Sequence, residues 1–126
     1  MIKSFLAAIL LFLATLPVGR AEDAPARAQT IFGNLMNSVQ TGNYQGMLIG
    51  GSEAFQKGLT QEMAAKVSAQ LSPRMQEGYS AQYLTSMHQA VYEVYLWKLS
   101  FRDGKDDLLA KVMIDKDSRV AGFWID

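Results

Sequence analysis

The chain of 126 residues has no cysteine, one histidine, three prolines and no excess of either charge, with 12 basic residues against 12 acidic ones. Without cysteine there is no disulfide, no thiolate zinc site and no lipid-modified cysteine of the lipoprotein kind. Stability must then come from packing. Balanced charge removes the clustered lysine and arginine that a phosphate backbone demands, so no nucleic-acid partner is expected. Nucleophile and phosphate-loop motifs are also missing: the sequence contains no G-x-S-x-G, no P-loop, no G-x-G-x-x-G and no H-E-x-x-H.

What is present begins with a leader. Met1, Ile2 and Lys3 precede an apolar run from Phe5 to Leu16 that carries no charge, followed by Pro17 and the small-residue stretch Val18, Gly19, Arg20, Ala21. That order is the order of a secretory signal peptide. As a helix the run reaches about 18 Å, short of the roughly 30 Å that a spanning segment must cross. Cleavage is expected after Ala21, with a short uncleaved anchor as the alternative. The mature chain, residues 22–126, is of single-domain size. The leader holds Lys3 and Arg20, so the mature chain has a formal charge of −2. A periplasmic or secreted protein with no membrane segment after processing is the expectation.

Along the mature chain the hydrophobic period changes once. Ala28, Ile31, Phe32, Leu35, Met36 and Val39 recur at three and four, the spacing of one helical face, and the pattern ends near Thr41-Gly42. Tyr44, Met47, Leu48 and Ile49 between glycines predict a short helical turn under the core. Ser52 is placed to cap another turn with Phe55 inward. Thr60 opens a longer helix with Glu62 in its first turn and Met63, Val67 and Leu71 on its stripe. Ser72-Pro73 is expected to interrupt that helix before Met75 and a closing Gly78.

From Tyr79 onward, aromatic and branched residues dominate. Tyr79–Met87, Val91–Phe101, Leu108–Ile114 and Val120–Ile125 read as four antiparallel strands. Asp103-Gly104 and Asp115 to Ser118 supply turn chemistry, whereas the first connection near Gln89-Ala90 lacks glycine and proline. Helices followed by a strand meander give the α+β class, with N-terminal helices packed on a four-stranded antiparallel sheet. In the second strand Tyr95, Trp97, Leu99 and Phe101 make one face apolar throughout. Tyr92, Val94 and Leu96 make the other face apolar only at its start. A face opposite the helices should be polar, so this patch calls for a second partner.

The stretch Thr41-Gly42-Asn43-Tyr44 and the run from Leu59-Thr60-Gln61-Glu62 into Val67-Ser68-Ala69-Gln70-Leu71 carry a resemblance. So do the strands Leu96–Phe101, Asp107–Ala110 and Arg119–Ile125. Together they resemble small exported domains of unknown function in the nuclear transport factor 2-like superfamily, over nearly the whole mature chain. The resemblance implies a curved sheet around a long first helix, forming a cone whose mouth holds a small ligand, and often a dimer through the outer face of the sheet. It implies a pocket among Tyr79, Tyr83, Tyr95, Trp97 and Trp124. The superfamily includes isomerases, dehydratases and cyclases, so the fold alone does not decide catalysis.

Two side chains are candidate acids or bases. His88 is the only histidine and lies at the end of the first strand, where a solvent-facing edge residue is the ordinary outcome. Glu93 shares a strand face with Tyr95 and Trp97, and a carboxylate among aromatics can have its pKa raised toward general-base range. A second strand carboxylate to complete an isomerase-like pair is missing. Asp103, Asp106 and Asp107 cluster at a turn, but their spacing matches no EF-hand and Lys105 sits among them. The interior methionines read as core filling. The expectation is therefore a domain that binds a small apolar ligand or a protein partner without catalysis, metal or cofactor, and forms a homodimer through the sheet. The alternative is a cofactor-free isomerase or hydratase using Glu93 or His88.

Overall fold

Four helices precede four strands: α1 (Ala26–Thr41), α2 (Tyr44–Leu48), α3 (Glu53–Gly58), α4 (Gln61–Glu77), β1 (Tyr79–Gln89), β2 (Tyr92–Phe101), β3 (Leu108–Ile114) and β4 (Val120–Ile125). This is a computed structural model, and it describes residues 23–126, so the leader read at residues 1–21 lies outside the described residues. The strands form one open antiparallel sheet in the order β1-β2-β3-β4. Among the described residues no helix is long and apolar enough to cross a membrane.

The helix boundaries follow from capping chemistry. Asn43, Ser52 and Thr60 each accept a hydrogen bond from a backbone N–H three residues on, at Gly46, Phe55 and Met63. These bonds satisfy donors that a helix start leaves without partners. Gly42 ends α1 at φ 68°, and its N–H returns to the carbonyls of Ser38 and Val39. A side chain at that φ would cost about 1 kcal/mol or more.

α4 departs from expectation. It runs unbroken through Pro73 rather than stopping at Ser72. Tertiary fastening outweighs the local penalty of the proline. Leu71 and Met75 are buried on either side of it, and the Ser72 hydroxyl donates to the Gln40 carbonyl of α1 at 2.7 Å. The buried stripe of α4 is Ala64, Ser68, Leu71 and Met75, while Met63, expected on it, is 51% exposed.

The core lies between α1 and the inner face of the sheet. Phe32 of α1 stacks on Trp97 of β2 with ring centroids 3.9 Å apart and planes 3° from parallel. Around this pair are Leu35, Met36 and Val39 from α1, Leu99 from β2, and Ala110, Val112 and Ile114 from β3, all buried. Full burial of a large apolar side chain contributes about 1.5–3 kcal/mol.

The sheet's two outer strands differ. β1 is an edge strand exposed along almost its whole length, with an extra residue at Leu84 where the register shifts. β4, at the other edge, is flanked by helix: Gly51 bridges Val120 in parallel, and Ser52 then leads into α3. On the outer face Val94 is only 4% exposed, lying in register between Met87 and Met113. Tyr92 and Leu96 are half-buried beside it.

Candidate functional site

The β1–β2 hairpin brings the two candidate acid–base residues together. His88 and Glu93 face each other across the strands, with His88 Nδ1 and Glu93 Oε1 2.6 Å apart. The turn between the strands is only Ala90-Val91, and Ala90 supplies the positive φ (55°) that so tight a reversal needs. Both side chains reach water, at 74% exposure for His88 and 41% for Glu93. The pair lies next to the turn of the hairpin, and a cross-strand pair in water contributes little to stability.

Four of the five aromatic residues expected to line a pocket instead pack together. Trp97 is 1% exposed under Phe32. Tyr83 meets the Trp97 ring edge-on at 5.6 Å, Tyr95 lies 6.4 Å from it, and Tyr79 stacks on Phe101 at 6.2 Å. Burial pushes the Tyr79 hydroxyl up from its ordinary pKa. Phe32, Tyr83 and Tyr95 thus pack around the Trp97 ring. The Trp97 Nε1–H has no hydrogen-bond partner there.

The fifth, Trp124, is 47% exposed and belongs to a different place. A cleft of about 270 Å³ runs between β4 and the helices α3 and α4. Ala54, Phe55, Gly58, Leu59 and Met63 form its helical wall, and Ala121, Gly122, Phe123 and Trp124 form its strand wall. None of these side chains is charged. The Ser52 cap holds α3 so that Phe55 leans over the Gly51 backbone, where even a methyl group would strike the Phe55 ring. Tyr44 of α2 donates its hydroxyl to the Leu59 carbonyl at 2.7 Å, pinning the link between α3 and α4. Lys111 stands 5.8 Å from the centre of the Trp124 ring. Below the cleft, sharing Phe55, Leu59 and Phe123, is a deeper apolar pocket of about 50 Å³ that reaches Val39, Met47 and Val67.

Comparison with protein-family models, with curated proteins and with solved structures finds no match. The geometry of the chain itself carries what can be said of its chemistry.

The acidic turn after β2 is occupied by an internal clamp. Arg74 of α4 places Nε 2.7 Å from Asp103 Oδ2 and its terminal nitrogen 3.2 Å from Oδ1. That nitrogen also donates to the Asp106 carbonyl at 2.9 Å. The guanidinium lies 3.9 Å above the Phe101 ring. The Arg74 hydrogen bond, helped by the backbone N–H of Lys105, holds the Asp103 carboxyl below the usual aspartate range. The same bond raises Arg74. Asp103 is thus committed to Arg74, and no cluster of three metal-ligating side chains occurs among the described residues.

The cleft residues were only partly marked in the sequence. Phe55 read as inward, but Leu59 and Met63 carried no site signal, because their convergence depends on how α3 turns back onto β4. The paired glycines Gly50-Gly51 and the small residue Gly122 ahead of two aromatics are the signals that point there in retrospect.

Proposed function

We propose that this chain is an exported, non-catalytic binding module of the nuclear transport factor 2-like kind, which holds a small apolar ligand in the cleft between α3–α4 and β4. The observation that carries this reading is the uncharged lining of a cleft open to solvent, with Phe55, Leu59, Met63, Phe123 and Trp124 converging on it. Apolar surface left exposed in a concave site is recovered when an apolar molecule covers it. Export rests on the leader, and kinship rests on the resemblance in sequence.

The test is a titration of the mature protein with N-phenyl-1-naphthylamine, a neutral apolar fluorophore, read by energy transfer from tryptophan. Trp124 lines the cleft and Trp97 lies in the core, so Trp124→Ala should weaken binding of the dye, followed also by the dye's own enhancement, whereas the fold by circular dichroism should be unchanged. A dissociation constant weaker than about 1 mM, worth only about 4 kcal/mol, would overturn the reading.

A second reading is supported by the outer face of the sheet. Met87 is largely exposed there, and Tyr92, Leu96 and Met113 lie around Val94. This apolar patch suits a homodimer through the sheet, which native mass spectrometry of the mature protein checks directly. An isomerase or hydratase acting through Glu93 or His88 has less support, because both side chains meet water at the end of a hairpin.

A further inference from the structure

The cleft has a feature that a pocket for a small molecule does not require: one of its walls is the edge of a β-sheet. Asp126 exchanges both backbone hydrogen bonds with Leu109. Trp124 and Gly122 pair with Lys111 and Met113 in the same ladder. Backbone groups alternate in direction along an antiparallel pair. Phe123 and Ile125 therefore turn their N–H and C=O groups away from β3, toward the open edge. Val120 points the same way, and its two groups are already taken: its N–H by the Gly50 carbonyl at 2.9 Å, its carbonyl by the Ser52 N–H at 2.8 Å. The chain thus begins a fifth strand at Gly50–Ser52 and then leaves the edge for α3. Among the described residues no strand continues it beside Phe123 and Ile125.

We infer that the cleft takes a short, extended, uncharged segment of a partner protein, which adds to β4 as an edge strand and seats an aliphatic side chain under Phe55. This deepens the ligand-binding reading given above and rests on the same cleft. Three observations select this occupant. The amide and carbonyl groups of Phe123 and Ile125 on the open edge pair with no backbone group of the described residues, and an extended chain supplies donors and acceptors at that repeat. The side chains of an added strand alternate between the two faces. Those on the inner side meet Phe55, Leu59 and Met63, with the pocket of about 50 Å³ below them as an anchor for one branched aliphatic group. The lining side chains are uncharged, so neutral residues of the segment fit it better than charged ones, which would give up part of their hydration there. Area argues in the same direction: a cleft of about 270 Å³ receives a few side chains, whereas a globular partner needs roughly 1,200–2,000 Å² of buried surface.

The experiment uses the full mature chain and a blocked heptapeptide of alternating threonine and valine, followed by amide chemical shifts and hydrogen exchange. Binding should be saturable and should slow exchange of the Phe123 and Ile125 amides by about tenfold or more, the mark of new backbone hydrogen bonds. N-methylation of alternate peptide amides on one side should weaken binding by about tenfold, and on the other side should leave it unchanged. Met63→Lys, a change at an exposed rim position, should weaken the peptide by about tenfold without loss of fold by circular dichroism. If the naphthylamine dye binds but the peptide does not, or if both N-methylated peptides bind as well as the parent, strand addition is overturned and the apolar cleft stands. If neither dye nor peptide binds, both readings fall. If the Phe123 and Ile125 amides become protected with rising protein concentration and no peptide, the edge belongs to a second copy, and the proposal of a separate partner is overturned.

Discussion

The indole of Trp124 lies across the backbone of Gly122, two residues earlier on the same strand, so closely that a methyl group at position 122 would collide with the ring. Successive odd or even residues of a strand share a face, and here the smaller one makes room for the larger. Trp124 is thereby turned toward the cleft instead of standing away from the sheet.

Gly122→Ala is the direct test of that relation. The displaced atoms are the far end of a half-exposed side chain, so the stability cost should stay within about 1 kcal/mol. Trp124 emission should change, and binding of the naphthylamine dye should weaken. Urea unfolding and fluorescence measured on one sample check both, and an unchanged dye affinity would show that the Trp124 ring is no part of the site.

Phe32→Ala should be far more costly. The ring is buried face to face on Trp97, and truncating a core phenylalanine costs about 3–5 kcal/mol when the surroundings relax only in part. A domain of this size has roughly 5–15 kcal/mol in all. The urea midpoint should fall steeply, and Trp97 emission should shift to the red in the folded state as the ring gains contact with water.

Ala90→Gly should stabilise the hairpin. Ala90 sits at φ 55°, a region costing about 1–2 kcal/mol for a residue with a Cβ. Glycine has greater freedom in the unfolded chain, which offsets part of the gain. A net increase of about 0.5 kcal/mol in unfolding free energy is expected. A decrease would mean that the methyl group makes a contact of its own.

The Arg74–Asp103 clamp predicts an acid-sensitive component of stability. Because the folded carboxyl titrates below its ordinary range, the unfolded chain takes up a proton first as the pH falls. The contribution is complete above the ordinary aspartate value of about 4 and disappears as the pH drops through the lower folded value. Asp103→Asn should therefore lower stability at neutral pH and flatten the decline below about pH 4. Parallel pH–stability curves for the two proteins would rule the clamp out as the source. Arg74→Lys should reproduce only part of the wild-type curve, since an ammonium cannot bond both carboxylate oxygens in a fork or lie as a plane on Phe101.

Much of the architecture was legible from local chemistry. The switch from a spacing of three and four to alternation falls between Gly78 and Tyr79, where α4 ends and β1 starts. The caps at Ser52 and Thr60 were visible as residues, since a capping oxygen acts within three positions of its own backbone. Pro73 is the instructive exception. Its local preference is to end a helix, but Leu71, Met75 and the bond from Ser72 to Gln40 hold α4 in one piece.

The candidate site was far less legible, and the reason is the range of the interactions. Alternation put Tyr95 and Trp97 on one face of the second strand, and the resemblance implied a pocket that they share with Tyr79 and Tyr83, but whether a ring lines a cavity or packs against its neighbours depends on what the helix above contributes. Phe32 stacks on Trp97 there, a contact across 65 positions that no local pattern encodes. His88 and Glu93 are joined by a turn of two residues, and their pairing follows from the hairpin register, which is set where the strands meet. Sequence alone determined the class of fold, the helical and strand faces and the lack of any catalytic motif, because periodicity and capping are properties of neighbours. Tertiary structure alone decided that the cleft opens beside β4, because Phe55, Met63 and Trp124 come together only when α3 folds back on the sheet.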